Sequence, residues 1–321
     1  MSGDPTAARL SDHRWWRLEM AAPPELEESL LWKLQSMGIS RVAVRHHPST
    51  PDQHQLVAWL PAIDWPQGER ARLPEALAPL AATFALPLPP LAWALQDDED
   101  WSLSWKQHWQ PDPVGERLLI LPAWLEVPDD QAHRLVIRID PGSAFGTGSH
   151  PTTRLCLEAL GELAQQAGGA LTGRRVADLG CGSGILGFGA LRLGAAALAA
   201  TDNDPLAVRA TRENGLLNGF RAGPDGPLQL ALGSVEGLAE LLAGQPADIL
   251  LCNILAPVIA ELAVGFKAVL APGGVGFLSG LLVDQAPALD RTLASLGWTA
   301  ELIADEGGWG LMRISQQRHV I

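Results

Sequence analysis

From residue 175 to about residue 296 short apolar runs alternate with helical stretches, and that alternation leaves few folds open. Strands are expected at 175–179, 198–201, 228–232, 249–252 and 275–279. Helices are expected at 185–193, 205–217, 235–243, 258–270 and 285–296. A strand that is followed by a helix must find a parallel neighbour, so the series implies one mostly parallel sheet with helices on both faces. Two further strands, 298–303 and 309–314, have no helix between them and read as an antiparallel hairpin ending that sheet. Upstream, 118–121 and 135–139 read as short strands and 152–166 as a helix. The Ala/Gly-rich stretch 161–173 reads as the frayed end of that helix and a loose connection.

The first ninety-odd residues follow another order. A strand is expected at 15–20, then a helix from Pro23 through Met37, with Leu26, Leu30, Leu31 and Leu34 at helical spacing. Gly38 stops it. A strand at 39–45, a polar loop at 46–53, a strand at 55–60, a helix at 69–84 and a return strand at 87–95 follow. The order β-α-β-β-α-β is that of a ferredoxin-like unit. The expected class is therefore α/β, a doubly wound Rossmann-like sheet with a smaller N-terminal ferredoxin-like α+β domain. The expected boundaries are 1–96, a linker helix at 97–112, and 113–321. Trp101, Trp105 and Trp109 recur every four residues and share one helical face, which suits a linker pressed on a neighbouring domain. A base-stacking platform would want basic neighbours, and these are sparse.

Composition excludes some classes of function. A net charge of -13 argues against a chain that lives on nonspecific phosphate contacts, so no direct nucleic-acid binding is expected. The charge suits a basic protein partner, and it also suits an ordinary acidic enzyme. Three cysteines with no close pair make no disulfide framework and fit a reducing, cytoplasmic setting. Residues 1–17 carry no signal-like apolar stretch. No run of about 18 apolar residues occurs, so no membrane span is expected. A monomer is expected.

The turn after the 175–179 strand reads Asp178-Leu-Gly180-Cys-Gly182-Ser-Gly184. Glycine is required where backbone turns sharply and touches a ligand, and the helix that follows offers its positive end. A dinucleotide loop would read G-x-G-x-x-G from the strand end, but position 185 is Ile185. The shifted set Gly182, Gly184 and Gly187 fits that pattern, yet it starts three residues late. This keeps a nicotinamide cofactor open as an alternative. Counted from the strand end the spacing is G-x-G-x-G behind Asp178, which resembles doubly wound S-adenosylmethionine-dependent methyltransferases. Asp202 ends the next strand, 22 residues after Gly180, where a carboxylate can accept both ribose hydroxyls. Asp204 before Pro205 reads as a helix cap, and Asn218-Gly219 as the far end of the same helix. Cys181 inside the turn raises a reactive thiol as a minor alternative. His46, His47 and His54 match no metal spacing and read as solvated loop histidines.

Two other segments belong with the turn. Asn253, where the 249–252 strand ends, sits where ligands bind on a parallel sheet, and could position an amine or contact the cofactor. Residues 140–153 form a glycine-rich loop running into a helix start. There Phe145 could lie on the cofactor, and Thr152 or Thr153 could hydrogen-bond it, against the alternative of a plain helix cap.

Phe145-Gly-Thr-Gly-Ser-His-Pro-Thr-Thr153, the 178–184 turn, Asp202-Asn-Asp-Pro205, Asn214 with Asn218-Gly219, and Asn253-Ile-Leu255 together resemble the ribosomal protein L-eleven methyltransferase family. Asp100-Trp101, Trp105, Gly115-Glu-Arg117 and Leu121-Pro-Ala-Trp124 resemble it too. The resemblance covers about residues 100–280, and before them only element order matches. It implies S-adenosyl-L-methionine as cofactor, with contacts at Thr153, Gly180, Asp202 and Asn253. It implies methylation of lysine side chains and the N-terminal amine of a large-subunit ribosomal protein, which the small first domain would recognise. Gly182, Gly184 and Phe145 complete the candidate cofactor set, and Asn253 is the candidate catalytic residue that orients the amine. An RNA or small-molecule methyltransferase with the same cradle, and a non-catalytic cofactor-binding module, remain as alternatives.

Overall fold

The computed structural model describes residues 14–39, 41–47, 50–96, 109–140, 148, 150–223 and 226–317. The chain divides into two compact units, Met1–Gln110 and Pro111–Ile321.

The first unit contains β1 (Trp15–Ala21), α1 (Glu27–Ser36), β2 (Val42–His47), β3 (Thr50–Pro61), α2 (Gln67–Thr83) and β4 (Ala92–Gln96). Its antiparallel sheet runs β2-β3-β1-β4, the ferredoxin-like arrangement. Leu26, Leu30 and Leu34 of the first helical stretch are fully buried and pack with Leu18, Leu56 and Leu60 of the strands. That apolar stripe holds the helix to the sheet. The expected polar loop at 46–53 is mostly strand: His46 pairs with His54, and the β2–β3 hairpin turns only between His47 and Thr50. Cross-strand pairing overrides the polar composition there.

The second unit begins with β5 (Asp112–Val114), β6 (Leu118–Pro122) and β7 (Leu135–Ile139), a small sheet of its own in the order β5-β6-β7. β5 was not expected, because it is three residues long and contains Pro113; as an edge strand it loses no ladder bond to that proline. Then come α3 (Pro151–Gln166), β8 (Arg175–Leu179), α4 (Ile185–Arg192), β9 (Ala197–Asp202), α5 (Pro205–Leu217), β10 (Leu228–Leu232), α6 (Val235–Leu242), β11 (Ala247–Asn253), α7 (Ala256–Leu262), α8 (Phe266–Val269), β12 (Leu270–Leu282), α9 (Ala286–Ser295), β13 (Trp298–Glu306) and β14 (Trp309–Gln316).

The large sheet runs β10-β9-β8-β11-β12-β14-β13, parallel except for β14, which is antiparallel to both its neighbours. This is the doubly wound sheet closed by a hairpin. Its direction of winding reverses between β8 and β11, so the crevice beyond their carboxyl ends is the natural ligand site. Two apolar cores flank it, one around Phe188, Leu157 and Ile249, the other around Phe266, Ile259 and Trp298.

Three expectations need correction. The helix expected at 258–270 is broken: α7 ends at Leu262, a tight turn spans Ala263–Gly265, and α8 is a single turn. Gly265 lies so close to Val235 of α6 that a β-carbon there would sit 2.7 Å from its Cγ1, so helix packing sets the break. The strand expected from residue 275 starts at Leu270; Ala247 pairs with Leu270 but Ile249 pairs with Val275, so residues 271–274 bulge out of the ladder. The helix before the Ala/Gly-rich connection does not fray early but continues to Gln166. Among the described residues no helix is long and apolar enough to cross a membrane.

Candidate functional site

The turn after β8 is built from left-handed glycines. Gly180 has φ +75° and Gly184, which starts α4, has φ +83°. A side chain at either would be strained and would also collide, with Ile254 Cγ2 at 2.5 Å for Gly180 and Phe188 Cε2 at 2.6 Å for Gly184. Gly180 and Cys181 donate backbone N–H bonds to the Thr201 carbonyl at 2.9 and 3.0 Å, which tether the turn to the end of β9.

Asp202 locks the same turn from the side. One carboxylate oxygen accepts the Gly182 N–H at 2.9 Å, and the other accepts the Asp204 N–H at 2.9 Å. Partial burial raises its pKa, against the hydrogen bonds from Asp204 and Gly182, which favour the charged form. The Asn203 N–H also favours the charged form, and of the roughly four lone-pair sites of a carboxylate one remains free to accept a ribose hydroxyl. Asp204 caps α5, accepting the Leu206 N–H at 2.8 Å. From α5, the Thr211 hydroxyl donates to the Gly182 carbonyl at 2.8 Å and Asn214 Nδ2 to the Ser183 carbonyl at 3.0 Å.

Asp178 lies beneath the turn, 1% exposed, and its Oδ2 accepts the Gly187 N–H at 3.1 Å. Burial pushes its carboxyl up to about 7, partly offset by that hydrogen bond, while the charge of Asp202 adds to the rise. Gly187 therefore serves close packing. A β-carbon there would lie 2.4 Å from Leu198 Cδ2 and 3.2 Å from the Asp178 carboxylate. It faces the sheet from within α4, where the close helix–sheet contact requires glycine.

On the other side of the crevice, Asn253 ends β11 next to β8. Its Nδ2 donates to the Thr153 hydroxyl at 3.4 Å, joining two residues 100 positions apart. Thr153 is 1% exposed and lies in the first turn of α3. The cap itself is His150: its Nδ1 accepts the Thr152 N–H at 3.3 Å and shares a 2.8 Å bond with the Thr152 hydroxyl. Thr152 is thus occupied in capping, and of the two threonines it is Thr153 that meets Asn253.

The structure thus gathers Gly180, Gly182, Gly184 and Asp202 around one turn, and Thr153 with Asn253 at the neighbouring strand end. Phe145 lies outside the described residues, as do Trp101 and Trp105. The reactive-thiol alternative fails: Cys181 is buried, and burial raises its thiol well above the ordinary range, so it is not a nucleophile. The reading of the histidines needs correction at His54, which is not solvated in a loop but paired through Nδ1 with the buried Glu27. No cluster of metal-ligating side chains occurs among the described residues. Sequence reasoning missed Thr211 and gave Asn214 no role beyond the resemblance; their partners lie 29 and 31 positions away. Asn214 stood in the sequence as a buried-face asparagine mid-helix, a poor helix former that signals a tertiary bond.

The donor set suits a cofactor with a free ribose: a carboxylate with a spare lone pair at a strand end, and a turn that only glycine can form. Together with the doubly wound sheet, it defines the class of S-adenosylmethionine-dependent methyltransferases. A family model for ribosomal protein L11 methyltransferase (PrmA) matches residues 14–318, and the chain belongs to that family. A ribosomal protein L11 methyltransferase of a Synechococcus species is 59% identical over 312 residues, covering 97% of this chain and 99% of the relative. One of Parasynechococcus marenigrum is 61% identical over 298 residues, covering 93% and 100%. Among solved structures, the ribosomal protein L11 methylase of Lactobacillus delbrueckii subsp. bulgaricus is similar, with a TM-score of 0.55 at 29% identity. The match covers 65% of this chain and all of that one.

Proposed function

We propose that this chain methylates lysine side chains and the N-terminal amine of ribosomal protein L11, with its first unit recognising the substrate. The observation that carries the reading is the Asn253–Thr153 contact at the end of β11, beside the Gly180 turn on β8. It supports a reading in which the Asn253 amide meets the incoming amine beside the cofactor. Bound S-adenosylmethionine supplies a methyl group on a sulfonium, open to in-line attack. Asp202 would hold the ribose hydroxyls, and the turn at Gly180, Gly182 and Gly184 would lie against the cofactor. Thr153 holds the Asn253 amide in place, and Asn253 orients the acceptor amine or the cofactor's amino group.

The acceptor must be neutral to attack. A lysine of pKa about 10.4 is neutral about once in 2,500 at pH 7, a cost of roughly 4.6 kcal/mol. Desolvation on entering the crevice and the positive charge already held there both lower that cost. A dedicated base is not needed, and Asn253 cannot serve as one. The net charge of -13 favours a basic protein acceptor over RNA.

The test is transfer of labelled methyl from the cofactor to purified L11, followed by RNase or protease treatment. Label that survives RNase, maps to amines and disappears in Asp202→Ala is the expected result. No transfer to L11 would overturn the substrate, and label lost to RNase would point to RNA.

A further inference from the structure

α5 is an unlikely place for asparagine on helix propensity alone, since its second half reads Glu213-Asn214-Gly215-Leu-Leu-Asn218 and both Asn and Gly weaken a helix interior. Yet Asn214 is fully buried and Asn218, the helix cap four residues on, is 4% exposed. Their bonds explain them. Asn214 Nδ2 donates to the Ser183 carbonyl in the glycine turn at 3.0 Å, while its Oδ1 accepts the N–H of Asp140 at 3.0 Å. Asn218 Oδ1 accepts the Arg138 N–H at 2.9 Å, and its Nδ2 donates to the Arg138 carbonyl at 2.7 Å. It also donates to the Asn214 carbonyl at 2.8 Å.

Arg138 lies in β7, the edge of the small sheet, paired on one side with β6. Exchanging both bonds with Arg138, the Asn218 amide copies the pairing that a fourth strand would give. The free edge is closed by a helix side chain, and the chain leaving β7 is then caught by Asn214, which grips the glycine turn with its other end.

We propose that Asn214 is a positioning residue for the cofactor, joining the glycine turn to the end of β7, and that Asn218 sets β7 at the height this junction requires. The proposal rests on reading that turn as the S-adenosylmethionine cradle. Without Asn214 the Ser183 carbonyl and the Asp140 N–H lose their common partner, while the turn keeps its ties to β9, Asp202 and Thr211.

The test is calorimetric titration of S-adenosylmethionine into the full chain and its variants, alongside thermal unfolding. Asn214→Asp keeps the acceptor for Asp140 and loses the donor to Ser183; Asn214→Ala loses both. Each is expected to raise Kd by about tenfold or more, and Asn218→Ala by about threefold, from the loss of buried hydrogen bonds. The cofactor KM is expected to rise in step, with the KM for the acceptor protein within about twofold of wild type. Gln316→Ala, which removes a bond to the Leu270 carbonyl away from the turn, controls for lost stability and should leave Kd unchanged. A Kd within about twofold of wild type in both Asn214 variants overturns the proposal, as does an equal shift in Gln316→Ala. If neither Asn214 variant folds, Asn218→Ala decides by the same criterion. A wild-type chain that binds no cofactor would instead overturn the cradle reading.

Discussion

In the first unit the one buried polar side chain among the described residues is Glu27, and it faces His54 across the helix–sheet packing. In the second unit such groups are plentiful, among them Thr153, Asp178, Ser183, Thr201, Asn214 and Ser279. Several of them bind backbone in or beside the glycine turn: Asp178 to Gly187, Asn214 to Ser183, Thr211 to Gly182. The same kind of burial serves two ends. In the first unit it satisfies an ion pair within a packed fold. In the second it fixes loop geometry at the crevice, at a desolvation cost that an apolar core would avoid.

Substitutions can break this contrast, and the largest effect is expected at Asp178. Its folded-state pKa is raised to about 7 by burial, so the folded chain holds the proton more tightly than the unfolded chain. Stability from this group is fully present below the unfolded value near 4 and is lost as pH rises towards 7. Asp178→Asn keeps an acceptor for Gly187 and has no such titration. It should therefore gain on wild type between about pH 4 and 7, by on the order of 4 kcal/mol, and level off above. Urea unfolding across that range measures it; parallel curves for the two proteins would mean that the buried acid ionises as readily in the folded chain as in the unfolded one.

Asp202→Ala comes next. It removes the acceptor of the Gly182 and Asp204 N–H groups and the proposed ribose contact together. Cofactor Kd should rise about a hundredfold or more, about 3 kcal/mol, read by calorimetry. Glu27→Ala is the counterpart in the first unit. It should cost about 2 kcal/mol of stability by loss of a charge-assisted bond, with cofactor affinity untouched. A changed Kd in that variant would erase the division of labour between the units. Smallest is Gly180→Ala, whose left-handed backbone and contact with Ile254 should cost about 1–2 kcal/mol and loosen cofactor binding roughly tenfold.

The contrast also marks where sequence was readable. Period and turn residues placed nearly every element of the large sheet, because strands buried on both faces are continuous apolar runs. The glycine turn and Asp202 were legible because their constraint is local, a strand end that only glycine can turn and an acid at the next strand's end. Local signals did not reveal the Glu27–His54 pair, the grip of Asn214 on Ser183, or the break at Gly265. Each is decided by a partner about thirty positions away, and polar loop composition pointed the wrong way for His54. The Pro-Gly-Gly at 272–274 lies between the expected helix and the expected strand, and the sheet absorbs it as a bulge inside β12.

The closing hairpin bears on the order in which the molecule can be completed during synthesis. β14 is made after β13 yet lies between β13 and β12, so the sheet stays split until this late segment emerges and slots in. Trp309, at its start, stacks edge-on against His150, with ring centroids 4.7 Å apart, and His150 caps the helix that bears Thr153. A nascent chain stalled before residue 309 would carry the glycine turn whole but lack that support for Thr153. The proposed site at Thr153 and Asn253 thus gains its last support only when this final strand is in place.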